Sequence, residues 1–238
     1  MEPNKETRNP MMRRPVVKEE LVEYMRTKQK QLTGELGVIE EEAHRENVPV
    51  IPHETVVFLQ FLLGQLKPKN ILEVGAAIGF SSSLMAETIG ADGHVTTIDR
   101  FDVMIRKAKE TYKRLELENR VTLLEGDAVD ILSTLPKDEY DFVFMDSAKS
   151  KYIVFLPEIL RVLKKGGVLM VDDIFQGGTI VEDVKDIKRN QRAIHRGLNK
   201  FLDTVLTHPD LTSTLVPLGD GIILITKEKD EIVLLENE

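Results

Sequence analysis

No cysteine occurs in the 238 residues. A disulfide framework and a thiolate metal site are both excluded. Tryptophan is absent and aromatic residues make up only 5%, so the chain carries no aromatic-interleaved RNA-binding motif. No apolar run approaches the length of a membrane span. The five histidines (His44, His53, His94, His195 and His208) show no ligand spacing, which argues against zinc. The opening stretch MEPNKETRNPMMRRPVV has no apolar h-region, so no signal peptide is expected. These absences together predict a cytoplasmic protein without a membrane segment. The formal charge is −8, so a polyanionic partner must meet a local basic patch.

What is present reads as one α/β domain. Residues 1–14 are polar with a basic cluster, Arg8, Arg13 and Arg14, and are expected to form a flexible arm. The rest, 15–238, is expected to be a single domain. Apolar stripes at helical spacing predict three N-terminal helices within 15–66. The α/β core follows over 67–228. Strands are predicted at 70–75, 94–99, 121–126, 140–146 and 168–173, rich in Val, Ile, Leu and Phe as strands buried on both faces are. Helices are expected at 81–89, 102–117, 128–134 and 150–163, with a long helical stretch over about 181–207. Two last strands, 213–218 and 221–227, joined across Gly219 and Asp220, read as a hairpin. The order predicts a doubly wound, Rossmann-like sheet, mostly parallel, with a C-terminal antiparallel hairpin strand.

The stretch ILEVGAAIGFSSS (71–83) is a buried strand, a glycine-bearing turn and a helix start. Gly75 and Gly79 are not at the spacing of a dinucleotide pyrophosphate loop, which disfavours a nicotinamide oxidoreductase. Acids then follow every strand: Glu73 within the first, Asp99, Asp127, Asp146, and Asp172 with Asp173. In such a sheet ligands bind at the carboxyl ends of the strands. Any one of these acids could be a helix cap. Asp99 is placed to accept hydrogen bonds from a ribose diol, and Asp127 to accept from an adenine amino group. An adenosine with a ribose, a cationic centre and no pyrophosphate is expected, which S-adenosylmethionine satisfies. Asp146, Asp172 and Asp173 end neighbouring strands and could converge on a divalent cation such as Mg²⁺. Lys149, three residues past Asp146, is either a base beside that site or a solvated lysine at a helix start.

Between Ile180 and Leu206, Lys185, Lys188, Arg189, Arg192 and Arg196 fall at helical spacing and predict a basic stripe. Such a stripe suits a phosphate backbone, although a solvated helix face would look alike.

Taken in order, ILEVGAAIGFSS, TIDR, EGDA, FMDSAKSKY, VDDIFQGG and VPLGDGI resemble the cation-dependent O-methyltransferases, which include catechol and caffeoyl-CoA methyltransferases. The resemblance covers roughly residues 45–228. ENVPVIP and the block KRNQRAIHRGLNKFLDTVLTHPDLTSTLVPLGDGI are similar to the bacterial tRNA 5-hydroxyuridine methyltransferase branch. The resemblance implies S-adenosylmethionine contacts at Ile51, Glu73, Gly75, Ser81, Asp99, Ala128 and Asp146. It implies metal ligation by Asp146, Asp172 and Asp173, with Lys149 near the acceptor oxygen and Lys149 and Asp146 catalytic. Asp173 stands where the family commonly has Asn. The expected reaction is methylation of 5-hydroxyuridine to 5-methoxyuridine in the anticodon loop of tRNA, with Arg13, Arg14, Lys188, Arg189, Arg192 and Arg196 on the RNA. The alternative is a small-molecule catechol or caffeoyl-CoA methyltransferase. A non-catalytic nucleotide-binding module would not need Lys149 and all three acids. The family usually forms homodimers, with the N-terminal helices as the expected contact.

Overall fold

The computed structural model describes residues 18–234. The expected arm and the arginines Arg8, Arg13 and Arg14 lie outside the described residues. Three helices come first: α1 (Glu19–Lys28), α2 (Gly34–Arg45) and α3 (His53–Leu66). Helix α3 ends at Lys67 in the left-handed conformation, just before Pro68, which cannot continue a helix.

The alternating core then runs β1 (Asn70–Val74), α4 (Phe80–Ile89), β2 (His94–Asp99), α5 (Asp102–Arg114), β3 (Val121–Glu125), α6 (Ala128–Thr134), β4 (Tyr140–Met145), α7 (Tyr152–Val162) and β5 (Leu163–Val171). Helix α8 (Arg192–Thr207) and the hairpin β6 (Leu211–Val216) and β7 (Ile222–Lys227) close it. One seven-stranded sheet results, in the order β3-β2-β1-β4-β5-β7-β6. The pairs among β1 to β5 are parallel, whereas β5–β7 and β6–β7 are antiparallel. The strand order reverses between β1 and β4, which is the switch point where a ligand crevice opens.

Both faces of the sheet are buried, because successive strand residues point to opposite sides. On β4, Val143 and Met145 join one apolar cluster with α7 and α8. Phe142 and Phe144 join the other, with α3 and α4.

Two expectations need correction. Strand β5 begins at Leu163, not 168, because Leu163 pairs with Tyr140 ahead of a register shift in β4. The long helix over 181–207 is not formed before Arg192. Asp183 accepts a hydrogen bond from the Lys185 N–H, and turns close from Asp186 to Asp183 and from Gln191 to Lys188. Such local side-chain bonds offer the backbone an alternative to the helix. The basic residues therefore form no continuous helical stripe. Arg192 donates to the carbonyls of Ile187 and Lys185, so its guanidinium pins this segment.

Candidate active site

The glycine turn after β1 is tied to β2. The N–H groups of Gly75 and Ala76 both donate to the Ile98 carbonyl. Gly75 has φ 110°, and a Cβ there would lie 2.0 Å from the Asp146 carbonyl oxygen. Only glycine lets the two strand ends approach so closely. Asp99 is held at both oxygens: Oδ2 accepts from the Ala77 N–H and Oδ1 from the Phe101 N–H, each at 2.9 Å. Each oxygen keeps a lone pair for a ligand hydroxyl.

Beside this turn lies a cavity of about 350 Å³. Of the residues expected to bind the donor, Gly75, Asp99, Asp127, Ala128 and Asp146 line it. Asp127 is also the cap of α6: its Oδ1 accepts from Val129 N–H, and its Oδ2 pairs with Arg100 at 2.7 Å. These two donors hold its carboxyl below the usual range. Ile51, Glu73 and Ser81 do not line the cavity. Ile51 sits in the apolar cluster on the α3 face.

Glu73 is fully buried beneath the turn, where Ser81 Oγ and Thr97 Oγ1 donate to its two oxygens. Burial pushes it up to about 7 from 4.5, against the pull of those two hydroxyls. A carboxyl raised in the folded state stabilises the fold below its unfolded pKa, and the stabilisation is lost as pH rises through the folded value. Wild-type stability should therefore decline between pH 4.5 and about 7. Glu73→Gln should remove Glu73's share of that decline, leaving the shares of Asp146 and Asp172, and be more stable near pH 8 by about 3 kcal/mol, at ~1.4 per unit. Urea unfolding across this range checks it; parallel pH profiles for the two proteins would contradict it.

The other half of the site is acidic. Asp146 follows β4, and its N–H donates to Val74. Asp172 follows β5, buried at 3% exposure, with its N–H on Met145. Burial pushes Asp172 up to about 8, and the Asp146 charge pushes the same way. Asp146 is raised to about 6, first by burial and then by Asp173. Lys149 lies 2.9 Å from Asp173 Oδ2 and 3.8 Å from Asp220 Oδ2. The expected convergence of the three acids on a cation is not formed: among the described residues no group of three His, Asp or Glu is arranged to hold a metal. Asp172 Oδ1 instead accepts from the Asp173 N–H, and Asp173 faces Lys149. The donor set still fits a hard cation chemically, being all carboxylate oxygen with mutual repulsion to offset.

A doubly wound sheet with a ribose-ready acid, a nucleoside-sized cavity and three acids at the switch point narrows the choice of family. The model of the O-methyltransferase family matches residues 26–228. The chain belongs to that family. It is an S-adenosylmethionine-dependent O-methyltransferase. Tapetum-specific methyltransferase 1 of Arabidopsis thaliana is 28% identical over 177 residues, 73% of this chain and 76% of the relative. The catechol O-methyltransferase of Mycobacterium tuberculosis is 28% identical over 159 residues, 67% of this chain and 70% of that one. The solved structure of a Podospora anserina methyltransferase bound to S-adenosylhomocysteine superposes with a TM-score of 0.78 at 24% identity, covering 88% of this chain and 94% of that one.

Sequence reasoning missed several parts of this methyltransferase site. Ala77 orients Asp99 through a backbone N–H, which no side-chain pattern reveals. Arg100 pairs with Asp127, and its guanidinium lies over the Phe101 ring at 5.0 Å. The arginine of TIDR was the available signal. Asp220 reaches Lys149 from the hairpin turn.

Proposed function

We propose that this methyltransferase acts on 5-hydroxyuridine at the wobble position of tRNA, with S-adenosylmethionine in the cavity and Mg²⁺ held by Asp146, Asp172 and Asp173. The observation that supports an RNA acceptor is the seat of α8. Gly197 packs on Ser150, where an added Cβ would be 3.3 Å from the Ser150 carbonyl oxygen. Arg196 is therefore one residue away from a contact with the Lys149 loop. Arg196, Lys188 and Arg189 are all exposed, and none has a carboxylate partner among the described residues. A wobble nucleoside sits in a single-stranded loop, where a base can be splayed into a pocket.

The chain's residues divide the work. Asp99 accepts the ribose hydroxyls of the donor. Ala128 and Gly75, small at the cavity wall, allow the adenosine close to the backbone. A bound Mg²⁺ would lower the pKa of the acceptor hydroxyl. Lys149 takes the hydroxyl proton at its Nζ lone pair, and Asp173, 2.9 Å away, holds the amine in place. The strand ends hold the acceptor oxygen in line with the methyl–sulfur bond, which removes much of the entropic cost of bringing two reactants together. The methyl group moves from sulfur to oxygen and leaves S-adenosylhomocysteine.

A second reading is a small phenol or its CoA thioester, favoured by the catechol activity named for the mycobacterial relative. Homodimerisation through the N-terminal helices remains part of the proposal; Tyr24, Phe61 and Leu66 stand exposed there.

Reversing charge at Arg189 and Arg196 together (both to Glu) should weaken tRNA binding by about tenfold or more and flatten its salt dependence. Donor affinity should stay unchanged, since neither residue lines the cavity. Arg192 is left intact because its guanidinium holds the backbone. Filter binding at several salt concentrations reads the effect; an unaltered salt slope would remove the support for an RNA acceptor.

A further inference from the structure

The Gly219–Asp220–Gly221 turn lies outside the donor cavity, and the reaction as derived so far does not use it. It joins β6 to β7. Because β7 runs antiparallel to β5, with Ile223 opposite Val171, the turn lies at the edge where β5 ends. There it is wedged on two sides. A Cβ on Gly219 would lie 3.1 Å from Pro52 at the start of α3, and one on Gly221 would lie 2.3 Å from the Phe175 ring. Both glycines have positive φ, 55° and 87°. At Gly221 no other residue type fits both the space and the backbone, and at Gly219 a side chain would have to displace Pro52, so the two glycines set where Asp220 stands.

Asp220 then makes contacts in two directions. Its carbonyl accepts from the Phe175 N–H at 2.8 Å, and its Oδ1 accepts from the Gly177 N–H at 2.7 Å. The neighbouring Gly221 carbonyl accepts from Ile174. These bonds hold the segment that follows Asp173, where Gln176, Gly177 and Gly178 all have positive φ. On the other side, Asp220 Oδ2 faces Lys149 Nζ at 3.8 Å, beside the closer pair with Asp173. One carboxylate therefore links the loop after β5 to the lysine after β4.

We infer that Asp220 is a positioning residue for methyl transfer: through Oδ1 it fixes the loop over the acceptor edge, and through Oδ2 it fixes the place of Lys149. The two jobs separate by substitution. Asn keeps an oxygen for the Gly177 N–H and loses the charge opposite Lys149, whereas Ala loses both.

Amide hydrogen exchange and steady-state kinetics test the assignment in the full chain. Asp220→Ala should speed exchange at Gly177 in the peptide over 174–181 by about tenfold or more, for the loss of the side-chain acceptor of its exposed N–H. Asp220→Asn should keep that peptide protected. In methyl transfer, Asp220→Ala should raise the acceptor KM and lower kcat, and Asp220→Asn should restore KM while kcat stays low. Calorimetry with S-adenosylhomocysteine should give wild-type affinity for both variants. Turnover is read with tRNA carrying 5-hydroxyuridine and, in a separate arm, with catechol, so failure of the tRNA reading alone leaves the exchange and catechol results standing. Unchanged exchange in the alanine variant would overturn the inference. So would an asparagine variant identical to alanine in KM, or a loss of donor affinity in both variants, which marks a merely structural role.

Discussion

Asp146→Ala is expected to reduce kcat/KM on the order of a thousandfold, about 4 kcal/mol at ~1.4 per decade. The side chain stands between the two halves of the site. It lines the donor cavity and shares the strand-end acid cluster with Asp172 and Asp173. No other residue among those described does both. The same substitution should leave the fold intact. The contacts that seat the strand end are backbone ones, the Asp146 N–H on Val74 and the Asp146 carbonyl against Gly75. It also removes a charge that adds to burial in keeping Asp172 raised well above the usual carboxylate range. Stability near neutral pH should therefore hold or rise while activity disappears. Kinetics and thermal unfolding on the same preparation check both halves. Near wild-type turnover would contradict the placement of Asp146, and a collapse in stability would mean that the activity loss says nothing about chemistry.

Gly75→Ala is expected to be the most damaging alanine substitution among the described glycines. A Cβ would fall 2.0 Å from the Asp146 carbonyl oxygen, and φ is 110°, outside the reach of alanine. Either the turn or the start of the Asp146 loop must move. The cost should be about 3 kcal/mol or more, the range of an overpacked and strained site. Donor affinity should fall with it, because the same shift pulls the Ala77 N–H from Asp99. Gly178→Ala is the control: φ is 85°, but nothing lies within 4 Å of its Cβ, so only the conformational penalty of about 1–2 kcal/mol applies. Denaturant unfolding and calorimetry with S-adenosylhomocysteine compare the two. Equal effects would mean that backbone conformation, not crowding against Asp146, explains the glycine.

The parallel strands were legible because burial on both faces leaves continuous apolar runs, as in Tyr140–Met145. The acids at their ends were legible for a topological reason: parallel strands deliver every carboxyl end to one edge. Where the reading failed, something other than periodicity decided. Lys164, Lys165, Gly166 and Gly167 look like a turn, yet their backbone belongs to β5. The apolar positions Val184, Ile187 and Ile194 keep helical spacing, yet Asp183 diverts the backbone into turns before Arg192. Asp220 was invisible as a site residue because it arrives on an antiparallel strand. Sequence order gives no hint that the start of β7 meets the end of β5. Glu73 and Ser81, both expected at the donor, are also bonded to one another beneath the turn, a link that no sequence pattern showed.

The most direct test of the account offers the purified protein deuteriomethyl-labelled S-adenosylmethionine with hypomodified tRNA, and in parallel with catechol and with caffeoyl-CoA, each with Mg²⁺ and with excess chelator. Mass spectrometry of the digested tRNA should show labelled 5-methoxyuridine that forms with Mg²⁺ and not with chelator, at a rate well above that of either phenol. Rapid labelling of the phenols with none in tRNA would contradict the acceptor, and full activity in chelator would contradict the role given to Asp146, Asp172 and Asp173.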